Sequence, residues 1–265
     1  MLTEKHPWSR GDMDRYGRSI RDGTEFDREL ATDILLWNSE LAREAEDIVA
    51  AVGRDAPVIV MQVSGRLKTE VSTRQKLQRQ SMKLSQMQDY VGVRITVDGG
   101  LNDQENLVGL LSEAFLQAGA NTVKVKDILE VPHSGYRAVH LHVTAPAGRF
   151  EAQVRTVVQD AWANAYEALG DLTGREVRYG TTPDSGPVAG VVTWMQMISE
   201  SSHAWEQSVA LWEQTQEETV VPVDPGLRVF GGVRAYRKLV RDHRISLVYS
   251  LDNAGIRFRS LKEAR

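Results

Sequence analysis

The stretch Gly135–Thr156, GYRAVHLHVTAPAGRFEAQVRT, constrains this chain more than any other. It reads as a turn followed by two strands. His140, His142 and Thr144 alternate with Val139, Leu141 and Val143, the period of two of a half-buried sheet. Successive side chains on a strand point to opposite faces, so Glu151, Gln153 and Arg155 share one face of the second strand. A carboxylate, an amide and a guanidinium in a row suit a metal–phosphate site. An exposed edge strand carries them equally well, because charged strand faces are mostly just solvated.

A basic segment lies upstream. From Arg66 to Arg79, Arg66, Lys68, Arg74, Lys76 and Arg79 face Glu70 as the single acid, and Lys83 follows. The whole chain carries a net charge of −4, which argues against a general nucleic-acid binder. A local cluster of cations in an acidic protein suggests a focused polyphosphate site instead. The 265 residues, 42% hydrophobic and 26% charged, suffice for one large core or a core with an appendage. No apolar run approaches the roughly 20 residues that span a bilayer, so no membrane partner is expected. The first residues are polar and charged, unlike a signal peptide, and the cytoplasm is the expected compartment. With no cysteine there are no disulfides, thiolate metal sites or cysteine nucleophiles.

The periodicities predict an arm or short helix over 1–24 and a helix over 25–53, with Leu30, Ile34, Leu35, Leu41, Ala45, Ile48 and Val49 at helical spacing. A buried strand in Ala56–Arg66, feeding a turn, then leads to a polar helix over about 72–87, capped by Ser72 or Thr73. A strand holding Val91, Val93, Ile95 and Val97, a helix capped by Asn102 or Asp103, and a strand at Thr122–Leu129 follow. After the opening pair of strands, a helix begins near Thr156, a loop spans 171–186, and a long helix covers 187–217. Pro222–Gly226 opens a last segment, read as strands Arg244–Ser250 and Ile256–Ser260 around the turn Asp252-Asn253-Ala254-Gly255. Strands alternating with helices, then a β-pair, indicate an α/β or α+β chain with a mixed sheet.

Four motifs occur in order: Gly65-Arg66-Leu67-Lys68 with Ser72 and Lys76; Asp89-Tyr90-Val91-Gly92-Val93-Arg94; Lys126-Asp127 leading to Gly135-Tyr136-Arg137 and His140; and Glu151-Ala152-Gln153-Val154-Arg155-Thr156 followed by Trp162-Ala163. This set resembles the synthetase domain of the RelA/SpoT family, of the small alarmone synthetase type. The resemblance implies a nucleotidyltransferase-like synthetase fold, with a mixed, mostly antiparallel five-stranded sheet flanked by helices. It implies a helical extension over 1–54, a synthetase domain over 55–217 and a C-terminal extension over 218–265.

It also implies an activity, transfer of the β,γ-pyrophosphate of ATP to the 3′-hydroxyl of GDP or GTP. Arg66, Lys68, Ser72, Lys76 and Arg79 are then the ATP-binding residues, with Lys83 extending the same helical face. Asp89 and Glu151 are the catalytic and Mg2+-binding carboxylates, suited to a hard ion that prefers oxygen ligands. Glu151 either helps hold the metal or acts as general base, and Arg94 either reaches a phosphate or pairs with Glu151. Tyr136 stacks on the acceptor base, and Arg137, His140, Gln153 and Arg155 complete the acceptor site. Trp162 reads as core, and related synthetases assemble as homo-oligomers, dimers or tetramers. The lone Asp242-His243 pair gives no support for a companion hydrolase site.

The chain departs from the family on the acceptor side. Glu130–Ser134 holds one His where many members carry Lys or Arg, and Tyr166-Glu167 stands where a Glu-His pair is common. These changes admit a second reading, a toxic synthetase whose acceptor is an adenine nucleotide or a tRNA 3′ end. They also admit a third, a nucleotide-binding homologue without catalysis. A tRNA acceptor calls for a basic patch, for which Arg15, Arg18 and Arg21, or Arg234, Arg237, Lys238, Arg241 and Arg244, are the candidates.

Overall fold

The computed structural model describes residues 2–181, 186–218 and 230–264. The elements in chain order are α1 (Arg10–Asp22), α2 (Arg28–Asp55), β1 (Val60–Leu67), α3 (Glu70–Arg79), β2 (Val91–Val97), α4 (Leu101–Gln117), β3 (Thr122–Asp127), β4 (Val139–Ala145), β5 (Gly148–Thr156), α5 (Val157–Thr173), α6 (Pro187–Glu218) and α7 (Phe230–Glu263). Short 3-10 turns at Leu84–Gln86 and Arg175–Tyr179 complete them. The chain forms two compact units.

The first unit comprises Met1–Asp98, Gln104–Asp127 and Val139–Val154. Its sheet has five strands in the order β1-β2-β5-β4-β3, with β1–β2, β5–β4 and β4–β3 antiparallel. This is the mixed, mostly antiparallel sheet expected, although β1, read as buried, is an edge strand with Met61 exposed. β5 lies inside the sheet, between β2 and β4, which removes the reading of its charges as those of an exposed edge.

Register sorts the side chains. Ser64 pairs with Arg94 and Arg66 with Gly92, while His140 pairs with Gln153 and His142 with Glu151. Lys124 and Lys126 oppose His142 and His140. Because side chains alternate, these polar residues share one face across five strands. The other face carries Val91, Val93, Ile95, Leu141, Val143, Phe150, Ala152 and Val154, all buried. Helix α2 packs on β1 and β2, and Phe115 of α4 meets Phe150 edge to face at 5.1 Å. Each such fully buried apolar side chain contributes about 1.5–3 kcal/mol.

Caps fix the helix starts. Asp27 accepts from the amides of Glu29 and Leu30 to begin α2. Helix α3 begins at Glu70 under Thr69, whose hydroxyl oxygen accepts from the Ser72 amide; Ser72 and Thr73 are inside the helix rather than its cap. It also stops at Arg79, earlier than expected, and Lys83 lies beyond it, 3.8 Å from Asp14.

The second unit comprises Gly99–Asp103, Ile128–Ala138 and Arg155–Arg265. Thr156 caps α5 in a capping box with Gln159, so the Thr ending the Glu-x-Gln-x-Arg-Thr motif is the helix start. Helix α5 runs on to Thr173, into the expected loop, and α6 is the long helix read from the sequence.

The expected strands Arg244–Ser250 and Ile256–Ser260 are not formed. Both lie in α7, where Leu247, Val248, Leu251 and Phe258 pack on the cluster around Trp162 and Leu169 of α5. Gly255 is a point of close approach, since a Cβ there would sit 3.3 Å from the Ala165 Cα. The Pro222–Gly226 opening and the side chain of Arg234 lie outside the described residues.

Glu206 of α6 is buried, and the Thr156 hydroxyl donates to it at 2.6 Å. Burial pushes its carboxyl up to about 7 from 4.5, and the bonds from Thr156 and Gln159 offset only part of that. The folded protein therefore binds this proton more tightly than the unfolded chain. The stability that Glu206 contributes is complete below pH 4.5 and is lost as pH rises through about 7. Glu206→Gln is expected to be more stable than wild type at pH 8 by on the order of 2–3 kcal/mol, with the difference closing towards pH 4. Urea unfolding at both pH values checks it.

Candidate active site

The polar sheet face in the first unit opens on a cavity of about 170 Å³ lined by Ser64, Arg66, Lys68, Asp89, Arg94, Glu151 and Gln153. Arg66 and Lys68 leave the end of β1, and Asp89 precedes β2. The Lys68 Nζ donates to Asp89 Oδ2 at 3.0 Å, and Lys76, from α3, donates to Oδ1 at 2.7 Å. Burial raises the Asp89 pKa, but the two ammonium groups outweigh it and hold the carboxyl below its usual range.

Glu151 is buried among donors. His140 Nδ1 and His142 Nε2 each lie 3.1 Å from its Oε1, and Gln153 Nε2 donates to Oε2 at 2.6 Å. Burial again acts upward, yet the two imidazoles and the amide prevail and Glu151 stays ionised far below neutrality. A carboxylate held this way is poor at taking a proton near neutral pH and good at holding a cation.

Six of the sequence-predicted residues line this cavity: Arg66, Lys68, Asp89, Arg94, Glu151 and Gln153. Lys76 joins through Asp89, and His140 through Glu151. Ser72 and Arg79 sit on α3 without lining the cavity, and the Ser72 hydroxyl is bonded by Thr69.

Tyr136, Arg137 and Arg155 belong to the second unit. Gly135 has φ 86°, and a Cβ there would meet the Trp162 ring at 2.8 Å, so the Gly of the Gly-Tyr-Arg motif is required on both grounds. Tyr136, partly buried against the Trp162 cluster, receives a hydrogen bond from Arg155 Nη2 at 2.9 Å, with the guanidinium carbon 5.0 Å from its ring centre. The Arg155 Nη1 donates to Asp160 at 3.0 Å. Burial lowers the Arg155 pKa, but Tyr136 and Asp160 outweigh it. Arg155 thus braces the Tyr136 ring. Arg137 is buried, donating to the Leu129 carbonyl and the Ser199 hydroxyl, and burial lowers its pKa. Trp162 is core, stacked on Tyr166 at 4.6 Å. In the loop before Gly135, Glu130 accepts from Gln207 at 2.8 Å and lies 3.2 Å from His203.

Residues 65–169 match the pattern described as a region found in RelA / SpoT proteins. An uncharacterized protein of Mycobacterium tuberculosis is 37% identical over 194 residues, covering 72% of this chain and 69% of the relative. The corresponding Mycobacterium bovis protein matches to the same extent. The chain belongs to the RelA/SpoT family. Similar folds include small alarmone synthetase 1 from Bacillus subtilis, at 22% identity and a TM-score of 0.54 over 73% of this chain and 100% of that one. A GTP pyrophosphokinase family protein from Streptococcus pneumoniae gives 19% and 0.57 over 76% and 100%. At such identities the likeness is one of fold.

Within this RelA/SpoT chain, Ser64 in the cavity wall and His142 beside Glu151 drew no role from the sequence, nor did Asp160 of the second unit. His142 stands directly opposite Glu151, a position legible from the His-x-His spacing that sets both imidazoles on one strand face. Asp160 carried no signal, because its pairing with Arg155 depends on the turn from β5 into α5. The basic patch near the N-terminus is largely neutralised: Arg15 pairs with Asp12, and Arg21 with Asp22. Among the described residues no helix is long and apolar enough to cross a membrane.

Proposed function

We propose that this chain is a (p)ppGpp synthetase, transferring the β,γ-pyrophosphate of ATP to the 3′-hydroxyl of GDP or GTP. The observation that carries this reading is the cavity where Arg66, Lys68 and Arg94 surround the two ionised carboxylates Asp89 and Glu151. In this reaction the 3′-oxygen attacks the β-phosphorus, the bond from that phosphorus to the α-phosphate oxygen breaks, AMP leaves, and the hydroxyl proton is released. The charge of the moving group is spread over phosphate oxygens, so positioning and electrostatics do most of the work. Arg66, Lys68, Lys76 and Arg79 would bind the ATP phosphates, with Ser72 beside them. Tyr136, held by Arg155, would stack on the guanine, and Arg137, His140 and Gln153 would shape the acceptor side.

Asp89 and Glu151 offer the hard oxygen donors that Mg2+ prefers, and both are ionised at neutral pH. Bound there, Mg2+ would neutralise phosphate charge. Two solved structures similar in fold support the substrate pair: Bacillus subtilis small alarmone synthetase 1 bound to its product pppGpp and bound to AMPCPP. Residues 1–54 and 218–265 would be extensions of a synthetase domain over 55–217 that assembles as a homo-oligomer in the cytoplasm.

The test is incubation with γ-labelled ATP and GDP, GTP, ATP or deacylated tRNA. Labelled GDP or GTP products are expected. Label in a 3′-pyrophosphorylated adenine nucleotide or in tRNA alone would replace the acceptor, and no labelled product with any acceptor, from folded protein, would overturn the synthetase reading.

A further inference from the structure

We propose that His140, His142 and Glu151 form a site for a transition-metal dication, with Zn2+ the best fit, and that its occupancy withdraws Glu151 from the phosphate cavity. The inhibitory part rests on the synthetase reading; the binding part does not.

The geometry comes from β4 and β5. The His-x-His spacing puts both imidazoles on the polar sheet face, and the register places His142 opposite Glu151 with His140 one pair further on. His140 Nδ1 and His142 Nε2 each stand 3.1 Å from the same oxygen, Glu151 Oε1, and the three atoms lie within 4.8 Å of one another. Donors about 2.1 Å from a shared ion are spaced about 3.0 Å apart in octahedral and about 3.4 Å in tetrahedral coordination. The two imidazole-to-carboxylate spacings already fall in that range. The imidazole-to-imidazole spacing lies within 4.8 Å, and ion binding would draw the two rings together towards that range.

The supporting groups fit the same role. Gln153 donates to Oε2 at 2.6 Å, which leaves Oε1 turned to the imidazoles, the kind of neighbour that orients a metal ligand. His140 is buried, with 10% of its side chain exposed, and His142 is 29% exposed, giving an entry side. Two imidazoles and one carboxylate favour Zn2+, Co2+ or Ni2+ over Mg2+, which prefers oxygen alone. Two hydrogen bonds to Glu151 would need no ion, and that is the alternative to be tested.

The experiment uses the untagged full chain after chelator treatment, titrated calorimetrically with Zn2+ and followed with Co2+ by visible absorption. One Zn2+ per chain, a Co2+ ligand-field band, and little displacement by excess Mg2+ are expected. His142→Gln keeps a hydrogen-bond donor beside Glu151 but removes the ligand, and it should weaken Zn2+ binding by about 100-fold. His142→Leu, with thermal melts of both variants, guards against a folding defect in either one. Under transfer conditions, Zn2+ should inhibit wild type at about tenfold lower concentration than it inhibits His142→Gln, each relative to its own zinc-free rate. Unaltered Zn2+ affinity in both folded variants, or no Zn2+ binding by folded wild type, would overturn the site. Binding as expected without zinc inhibition of an active enzyme would overturn the withdrawal of Glu151. If no acceptor is labelled, the calorimetry still decides the site.

Discussion

Glu151→Gln is expected to lower pyrophosphate transfer by about 1000-fold with little change in fold, because removing a fixed charge or acid–base group from a desolvated site costs about 100- to 10,000-fold. The substitution is nearly isosteric, and the new amide oxygen can still accept from an imidazole, so packing on β4 survives. What disappears is a full negative charge at the wall of the cavity lined by Arg66, Lys68 and Arg94. His140, His142 and Gln153 hold that charge in place at neutral pH. A general base would need a pKa near the working pH, whereas this carboxylate is held far below it. Steady-state rates and thermal melts of the two proteins check the prediction. Transfer within tenfold of wild type would remove Glu151 from the reaction.

Local rules carried the sequence reading where one face of each element is buried against its own unit. The alternation in β2, β4 and β5 was legible because each strand has one apolar and one polar face, and a one-residue slip would expose Phe150 or Leu141. The same alternation identified the face of Glu151 and Gln153. It could not say that β5 is an inner strand, which depends on pairing with β2 far along the chain. Asp252-Asn253-Ala254-Gly255 has turn composition, yet it lies inside α7. Its glycine instead lets α7 approach Ala165 on α5, a tertiary demand with no local signature. Arg155 illustrates the remaining limit. Its place on the Glu151 face was readable, but its pairing with Asp160 and its support of Tyr136 arise only when β5 turns into α5.

Asp89→Asn should have opposite effects on binding and on chemistry. In this structure Asp89 accepts from Lys68 at 3.0 Å and Lys76 at 2.7 Å, so the two ammonium groups assigned to ATP are occupied by a carboxylate. On the synthetase reading, ATP phosphates would draw both lysines away from Asp89, which would free its oxygens for a cation. Without a divalent metal, Asp89 is a competitor for the lysines and a like charge beside the triphosphate. Unit charges about 4 Å apart interact by about 4 kcal/mol at an effective dielectric of 20, and much of that is offset by losing the lysines' partner. A net gain of about tenfold in metal-free ATP affinity is therefore expected for the variant, equivalent to about 1.4 kcal/mol. With saturating Mg2+ the loss of one of two carboxylates should instead lower transfer by about 100-fold or more. Calorimetric titration with ATP in chelator, set beside rates in Mg2+, measures both effects in one variant. If metal-free ATP bound more weakly to Asp89→Asn, the carboxylate would be positioning Lys68 and Lys76 rather than competing for them, and the exchange between Asp89 and phosphate would have to be abandoned.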